Sequence, residues 1–154
     1  MFIRDLEQRL NNSSQGVSLL IADFDHFGEV NGKYGVHLGD QVLRALATLL
    51  GKCCANVPNA ACYRFGGSVF DIIFTTSDSP TGKAFAEFIR AQVEGFRHDG
   101  VAITVSIGLA RARPNTHVPE YLCDRASEAL RRAKQNGRNR VEIAEWESED
   151  SSDR

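Results

Sequence analysis

The chain is short of several things, and each shortage removes a class of function. No apolar run approaches the roughly 20 residues that a membrane-spanning helix requires. The N-terminus is amphipathic and has no signal-peptide core. Neither sign of charge is in excess: 18 Lys and Arg against 20 Asp and Glu leave a formal charge of −2, so no general attraction to nucleic acid or to an anionic membrane surface is implied. The four cysteines (Cys53, Cys54, Cys62 and Cys123) have neither CxxC spacing nor matching histidine pairs. That pattern argues against a metal cluster and for reduced, mostly buried thiols in a cytoplasmic protein. There is no internal repeat. What is present is 42% apolar and 25% charged residues over 154 positions, enough for one globular domain with a real core.

Read along its length, the chain opens with Phe2, Ile3, Leu6 and Leu10 at helical spacing. No cap precedes this helix, the expectation for a segment of a longer protein. "NNSSQG" at 11–16 is a turn, and "VSLLIADFD" reads as a buried strand ending in acid. "HFGEVNGKYGVHLGD" reads as a short helical turn broken by Gly32 and Gly35, followed by a firm helix from Asp40 through Val42, Leu43, Leu46, Leu49 and Leu50. "YRFGGSVFDIIF" at 63–74 reads as two strands joined at Gly66-Gly67. "SDSP" caps a helix carrying Phe85, Phe88, Ile89, Val93 and Phe96. Val101, Ile103, Val105, Ile107 and Leu109 alternate as one strand. After a loop with Pro114 and Pro119 comes a last helix through Leu122, Ala126, Ala129, Leu130 and Ala133, stopping at Asn136-Gly137 before the short strand "RVEIA". The order predicts an α/β (α+β) fold with a mixed central sheet flanked by helices. The domain is expected over 1–144, with 145–154 an acidic tail or linker.

Asp23 and Asp25, at "ADFD", fall on one face at a strand end beside the glycine hairpin. Hard oxygens in that position suit Mg²⁺ held against a triphosphate, because Mg²⁺ takes a few protein oxygens and fills its remaining sites from phosphate and water. An equally good reading from spacing alone has one acid capping the next turn and the other solvated.

Four blocks, "ADFDHFGEVNGKYGVHLGDQVLRALATLL", "YRFGGSVF", "ITVSIGLA" and "ASEALRRAKQNGRNRV", resemble a GGDEF domain of the diguanylate cyclase family, in order and spacing, from about residue 2 to residue 143. The resemblance implies a sheet related to nucleotide-cyclase and polymerase palm domains. It also implies conversion of two GTP molecules to cyclic di-GMP, one GTP being held in each half of a homodimer. It gives Asp23 the role of metal ligand, with the Phe24 carbonyl as a backbone ligand. It makes Asn31 and Asp40 readers of the guanine base, and Lys134 and Arg138 phosphate ligands at i, i+4 on one helix face.

The departures are as clear as the matches. The motif's third residue, normally Asp or Glu, is Ser68, and the fourth, normally the catalytic glutamate, is Val69. The family's lysine after "DFDHF" is Gly28, and its histidine after "YG" is Val36, with His37 one place late. The inhibitory product site, an RxxD, falls at 57–60 and reads "VPNA", so none is expected. Asp71 shares a strand face with Val69 but sits about 7 Å further along. Metal ions offset several kcal/mol of the charge that builds at an α-phosphate, so two missing carboxylates imply a degenerate domain with no cyclase activity. On this reading the chain is a regulatory module of cyclic di-GMP signalling, acting through other domains of a longer chain (an EAL or sensor domain) or a partner protein, with a homodimer possible. It needs no cofactor, although Mg²⁺ could still accompany GTP. The alternatives are a GTP-binding switch that regulates an adjacent EAL phosphodiesterase, and a weak cyclase using Asp25 and Asp71. No contact of this domain with nucleic acid or membrane is expected.

Overall fold

The computed structural model describes residues 1–12, 15–76, 78–113 and 118–144. Its centre is β1 (Gly16–Phe24), whose sequence GVSLLIADF is apolar on both faces and buried almost throughout. Such a strand needs neighbours on both edges and cover on both faces. Both edges are antiparallel partners: β3 (Val69–Thr76) and β6 (Val105–Ala112). β2 (Ala61–Arg64) pairs antiparallel with β3, and β7 (Arg140–Ile143) pairs parallel with β6, giving a five-stranded mixed sheet in the order β2-β3-β1-β6-β7.

Helices α2 (Phe27–Tyr34), α3 (Val36–Cys54) and α4 (Ser79–Glu94) cover one face. Leu20, Phe24, Leu46, Leu50, Ile72, Phe74 and Ile89 fill that core. Helices α1 (Phe2–Asn12) and α5 (Pro119–Gln135) cover the other, over Leu19, Ile21, Ile73 and Ala110. Gly108 lets α5 lie close on the sheet, because a Cβ there would sit 2.3 Å from the Ala126 carbonyl oxygen. The Asp78 carboxylate accepts from the Thr81 amide at 2.7 Å, capping α4 as expected. The acidic stretch 145–154 lies outside the described residues.

Three sequence expectations are corrected. Gly32 does not break α2, which runs through it; a helical glycine costs about 1 kcal/mol relative to alanine but does not end a helix. The break is at Gly35 alone, where φ is 92°, and α3 starts straight after it at Val36 rather than at Asp40. The run 101–110 is two strands. Asp99 and Gly100, with φ of 48° and 78°, turn β4 (Arg97–His98) back onto β5 (Val101–Ala102), and β6 starts only at Val105. An Asp-Gly pair with both φ positive is the two-residue hairpin turn that matches strand twist.

Candidate functional site

The sheet brings the end of β1 and the tip of the β2–β3 hairpin side by side. Asp23 pairs in register with Val69 on one side and Ser106 on the other. Gly66 and Gly67 have φ of 95° and 56°, a backbone that only glycine adopts readily, and they fold the tip back so that the Ser68 carbonyl accepts from the Phe24 amide at 3.1 Å. The Ser68 hydroxyl then donates to Asp23 Oδ1 at 2.7 Å. From the other direction, the last turn of α5 delivers Lys134, whose Nζ donates to Asp23 Oδ2 at 2.5 Å. Asp23 is thus held between the serine of the hairpin and the lysine of α5.

Asp25 lies just beyond β1 and is differently engaged. Its side chain is 2% exposed. It accepts from the Ser106 hydroxyl at 2.6 Å, the Thr104 hydroxyl at 2.6 Å and the Asn139 amide at 3.0 Å, and Arg138 Nη1 lies 3.9 Å from it. Three donors and a nearby guanidinium surround one carboxylate, which leaves it poorly placed as a metal ligand. Arg138 is not on the helix with Lys134, as i, i+4 spacing suggested. α5 ends at Gln135, and Arg138 sits past it with φ of 63°. The two cations still converge, one on each aspartate.

Asp71 pairs with Ile21, two pairs below Asp23–Val69 in the register, and is 7% exposed. Burial pushes its carboxyl up to about 6. It belongs to the core under α5, consistent with the expectation that it misses the hairpin tip.

Asn31 and Asp40, the two residues expected to read a base, lie on α2 and α3. Asn31, on α2, is half-buried and lodges its Oδ1 against Gly39 of α3, with no hydrogen-bond partner. Any Cβ at Gly39 would lie 1.8 Å from that oxygen, so the glycine makes room for the asparagine. Asp40 follows Gly39 and is exposed. Gly28 has open space where a Cβ would stand, and Val36 is 66% exposed. Gly39, Thr104, Ser106 and Asn139 are contributors that the sequence reading missed. Among the described residues, a cleft of about 410 Å³ lined by His26, Glu29, Lys33, Glu94 and Arg97 shares Asp25 with this site but none of Asn31, Asp40 or Lys134.

The donor set can be tested for Mg²⁺. Asp23 and Ser68 are adjacent hard oxygens, but among the described residues no group of three or more His, Cys, Asp or Glu side chains is placed to hold a metal. One carboxylate fits a site whose remaining ligands come from a bound triphosphate. The site therefore offers cations for phosphate, an oxygen pair for a metal that arrives with its nucleotide, and an amide–carboxylate pair for a base edge.

Comparison with known proteins shows the family and the fold. The family model "Diguanylate cyclase, GGDEF domain" matches residues 1–140. Diguanylate cyclase A of Treponema denticola is 35% identical over 132 residues, 83% of this chain and 35% of the relative. The chain thus spans about a third of the length of that curated relative. The GGDEF domain of DgcB from Caulobacter crescentus, solved in complex with c-di-GMP, superposes with a TM-score of 0.84 at 32% identity, over 94% of this chain and 89% of that one. The active GGEEF domain of a diguanylate cyclase from Vibrio cholerae superposes with a TM-score of 0.77 at 29% identity, over 94% and 90%. These findings overturn the expectation that the chain is no enzyme: its named relatives are cyclases, and a domain solved as active shares its fold. The physical reason is that Ser68 and Val69 are two positions of a larger site. Asp23 and Lys134 are assembled at the tip regardless, Arg138 stands beside Asp25 two residues on, and Ser68 still presents an oxygen to Asp23.

Proposed function

The chain belongs to the GGDEF domain family of diguanylate cyclases, and from that premise we propose that it is a guanine-nucleotide-binding signalling module of the cyclic di-GMP system. Asn31 and Asp40 read the base, since Asp accepts from the N1 and N2 donors of guanine and Asn both donates and accepts. Lys134 and Arg138 take the phosphates. Asp23 and the Phe24 carbonyl would hold Mg²⁺ beside them, where it neutralises triphosphate charge. The observation that carries the reading is the placing of Lys134 on Asp23 at the hairpin tip and of Arg138 beside Asp25 at the end of the same strand. The module acts on other domains of a longer chain or on a partner protein, a reading supported by the Treponema relative being about three times the length matched here.

A GTP-responsive switch on an adjacent domain is the second reading. It rests on the same two residues, Asn31 of α2 and the exposed Asp40 of α3, which need no turnover to bind a base. Calorimetry with GTP and ATP, with and without Mg²⁺, tests both. GTP is expected to bind more tightly than ATP, and Asp40→Ala to remove that preference. Equal affinities for the two nucleotides in the unmodified protein would refute the base-reading assignment.

A further inference from the structure

The chain leaves α5 through strained backbone. Gly137, Arg138 and Asn139 all have positive φ, at 121°, 63° and 46°. For Arg138 this conformation is unfavourable, and it persists only where surrounding structure enforces it, whereas Asn139 is of a type that tolerates it. The enforcing contacts are visible. The Arg138 amide donates to the Ala133 carbonyl at 2.9 Å, closing the helix end. The Asn139 amide donates to the buried Asp25 carboxylate at 3.0 Å. The Asn139 side chain is gripped by Arg90 at 3.1 Å and Glu94 at 2.6 Å, both on α4. Asp25 is itself fixed by the hydroxyls of Thr104 and Ser106. A left-handed turn therefore sits on a buried carboxylate that two hydroxyls hold in place. The residue at its centre is Arg138, whose guanidinium also leans toward that carboxylate.

We infer that Asp25 is a positioning residue: it latches the 137–139 turn through the Asn139 amide and so aims Arg138 at the nucleotide phosphates, without touching the nucleotide itself. This rests on the nucleotide-binding reading above, and it assigns Asp25 a task distinct from that of Asp23 two residues earlier. The hydrogen-bond geometry separates them. Asp23 meets side chains of the hairpin tip and of the helix proper, whereas Asp25 meets backbone beyond the helix. Of the groups around it the Asn139 amide and the Arg138 guanidinium can only donate, whereas the Thr104 and Ser106 hydroxyls can also accept, so an amide in its place could keep the Asn139 bond and only loss of the whole group releases the turn.

The test uses the full 154-residue chain and compares GTP with guanosine, so that the phosphate contribution is isolated from base reading. In the unmodified protein GTP should bind at least tenfold more tightly than guanosine. Asp25→Ala, which removes both carboxylate oxygens, should lower that ratio about fivefold, leaving the part that Lys134 supplies, while guanosine affinity changes less than about twofold, an effect that a general loss of stability would not produce. Arg138→Ala should lower it by the same factor, and the double variant should be no worse than Arg138→Ala alone, because coupled residues are not additive. Thr104→Val, which keeps the charge and removes one anchor, should lower the ratio about threefold and serves if Asp25→Ala does not fold. An undiminished ratio in Asp25→Ala, or in Thr104→Val, overturns the latch while leaving nucleotide binding intact. Additive losses in the double variant overturn it as well. Failure of the unmodified protein to bind GTP overturns the nucleotide reading and the latch with it.

Discussion

Replacing Asp71 by asparagine should make this protein more stable at neutral pH. Asp71 is 7% exposed on β3, opposite Ile21, and burial lifts its carboxyl from 3.8 to about 6. An acid with a higher pKa in the fold than in the unfolded chain holds its proton more tightly when folded, so its ionisation opposes folding. The penalty is absent below about pH 3.8, grows as pH rises through the window up to about 6, and is fully present above it. A shift of about 2 units at 1.36 kcal/mol each gives roughly 3 kcal/mol, an upper bound because the asparagine must also bury its amide. Asn keeps the shape and removes the charge. The expected gain at pH 7.5 is therefore about 1–3 kcal/mol, or about 2–12 °C in Tm for a domain of this size. The same substitution should ease deprotonation of Cys123, whose thiol is pushed up to about 11 by burial and then by the Asp71 charge. Urea unfolding at pH 7.5 and pH 4.0 is the assay, and the gain should shrink below about 1 kcal/mol at the lower pH. Equal stability of the two proteins at pH 7.5, or a gain of the same size at both pH values, would show that Asp71 is not a desolvated acid.

Gly39→Ala should displace the Asn31 side chain, given a Cβ 1.8 Å from its oxygen, and is expected to destabilise by about 1–3 kcal/mol and to erase the preference for GTP over ATP; thermal melts and calorimetry read the two effects. Adding carboxylates at the hairpin tip, with Ser68→Asp and Val69→Glu together, should raise cyclic di-GMP formation from GTP and Mg²⁺ above that of the unmodified protein, and product chromatography showing no rise would count against the tip as a metal site. Cyclic di-GMP itself should bind with a Kd weaker than about 1 μM, since 57–60 offers neither an arginine nor an aspartate; tighter binding by calorimetry would reveal a product site elsewhere.

The parts of the fold that were legible in the sequence are those whose signal is local. β1 announces itself by an apolar run, α4 by Asp78 and Pro80, and α5 by its apolar spacing and the Asn136-Gly137 stop. Where local rules compete, reading failed. Gly32 and Gly35 look alike as letters, yet only the second lies at positive φ. Alternation from Val101 to Leu109 survives across the gap between β5 and β6, so periodicity could not show that a two-residue hairpin claims its first part; Asp99-Gly100 was the available clue. In the site, Asp23 and Lys134 were legible through their motifs. The partners of Asp25 were not, because Thr104, Ser106 and Asn139 lie 79, 81 and 114 positions away and are ordinary letters in their own segments. Gly39 carried no signal either, since its value lies in what Asn31 places beside it.

The Asp23–Lys134 pair has a thermodynamic consequence for anything that enters the site. The empty protein already satisfies its own charges: the carboxylate has its ammonium, and the ammonium has its carboxylate. An incoming phosphate must win Lys134 away from Asp23, and an incoming cation must win Asp23 away from Lys134, so each alone strands one member of the pair at a partly buried position. Arriving together, they exchange partners without leaving a charge unmet. Uptake at this locus is therefore an ion exchange, in which the anion and the cation each vacate the seat the other needs. The apparent affinity for either one reports the concentration of both.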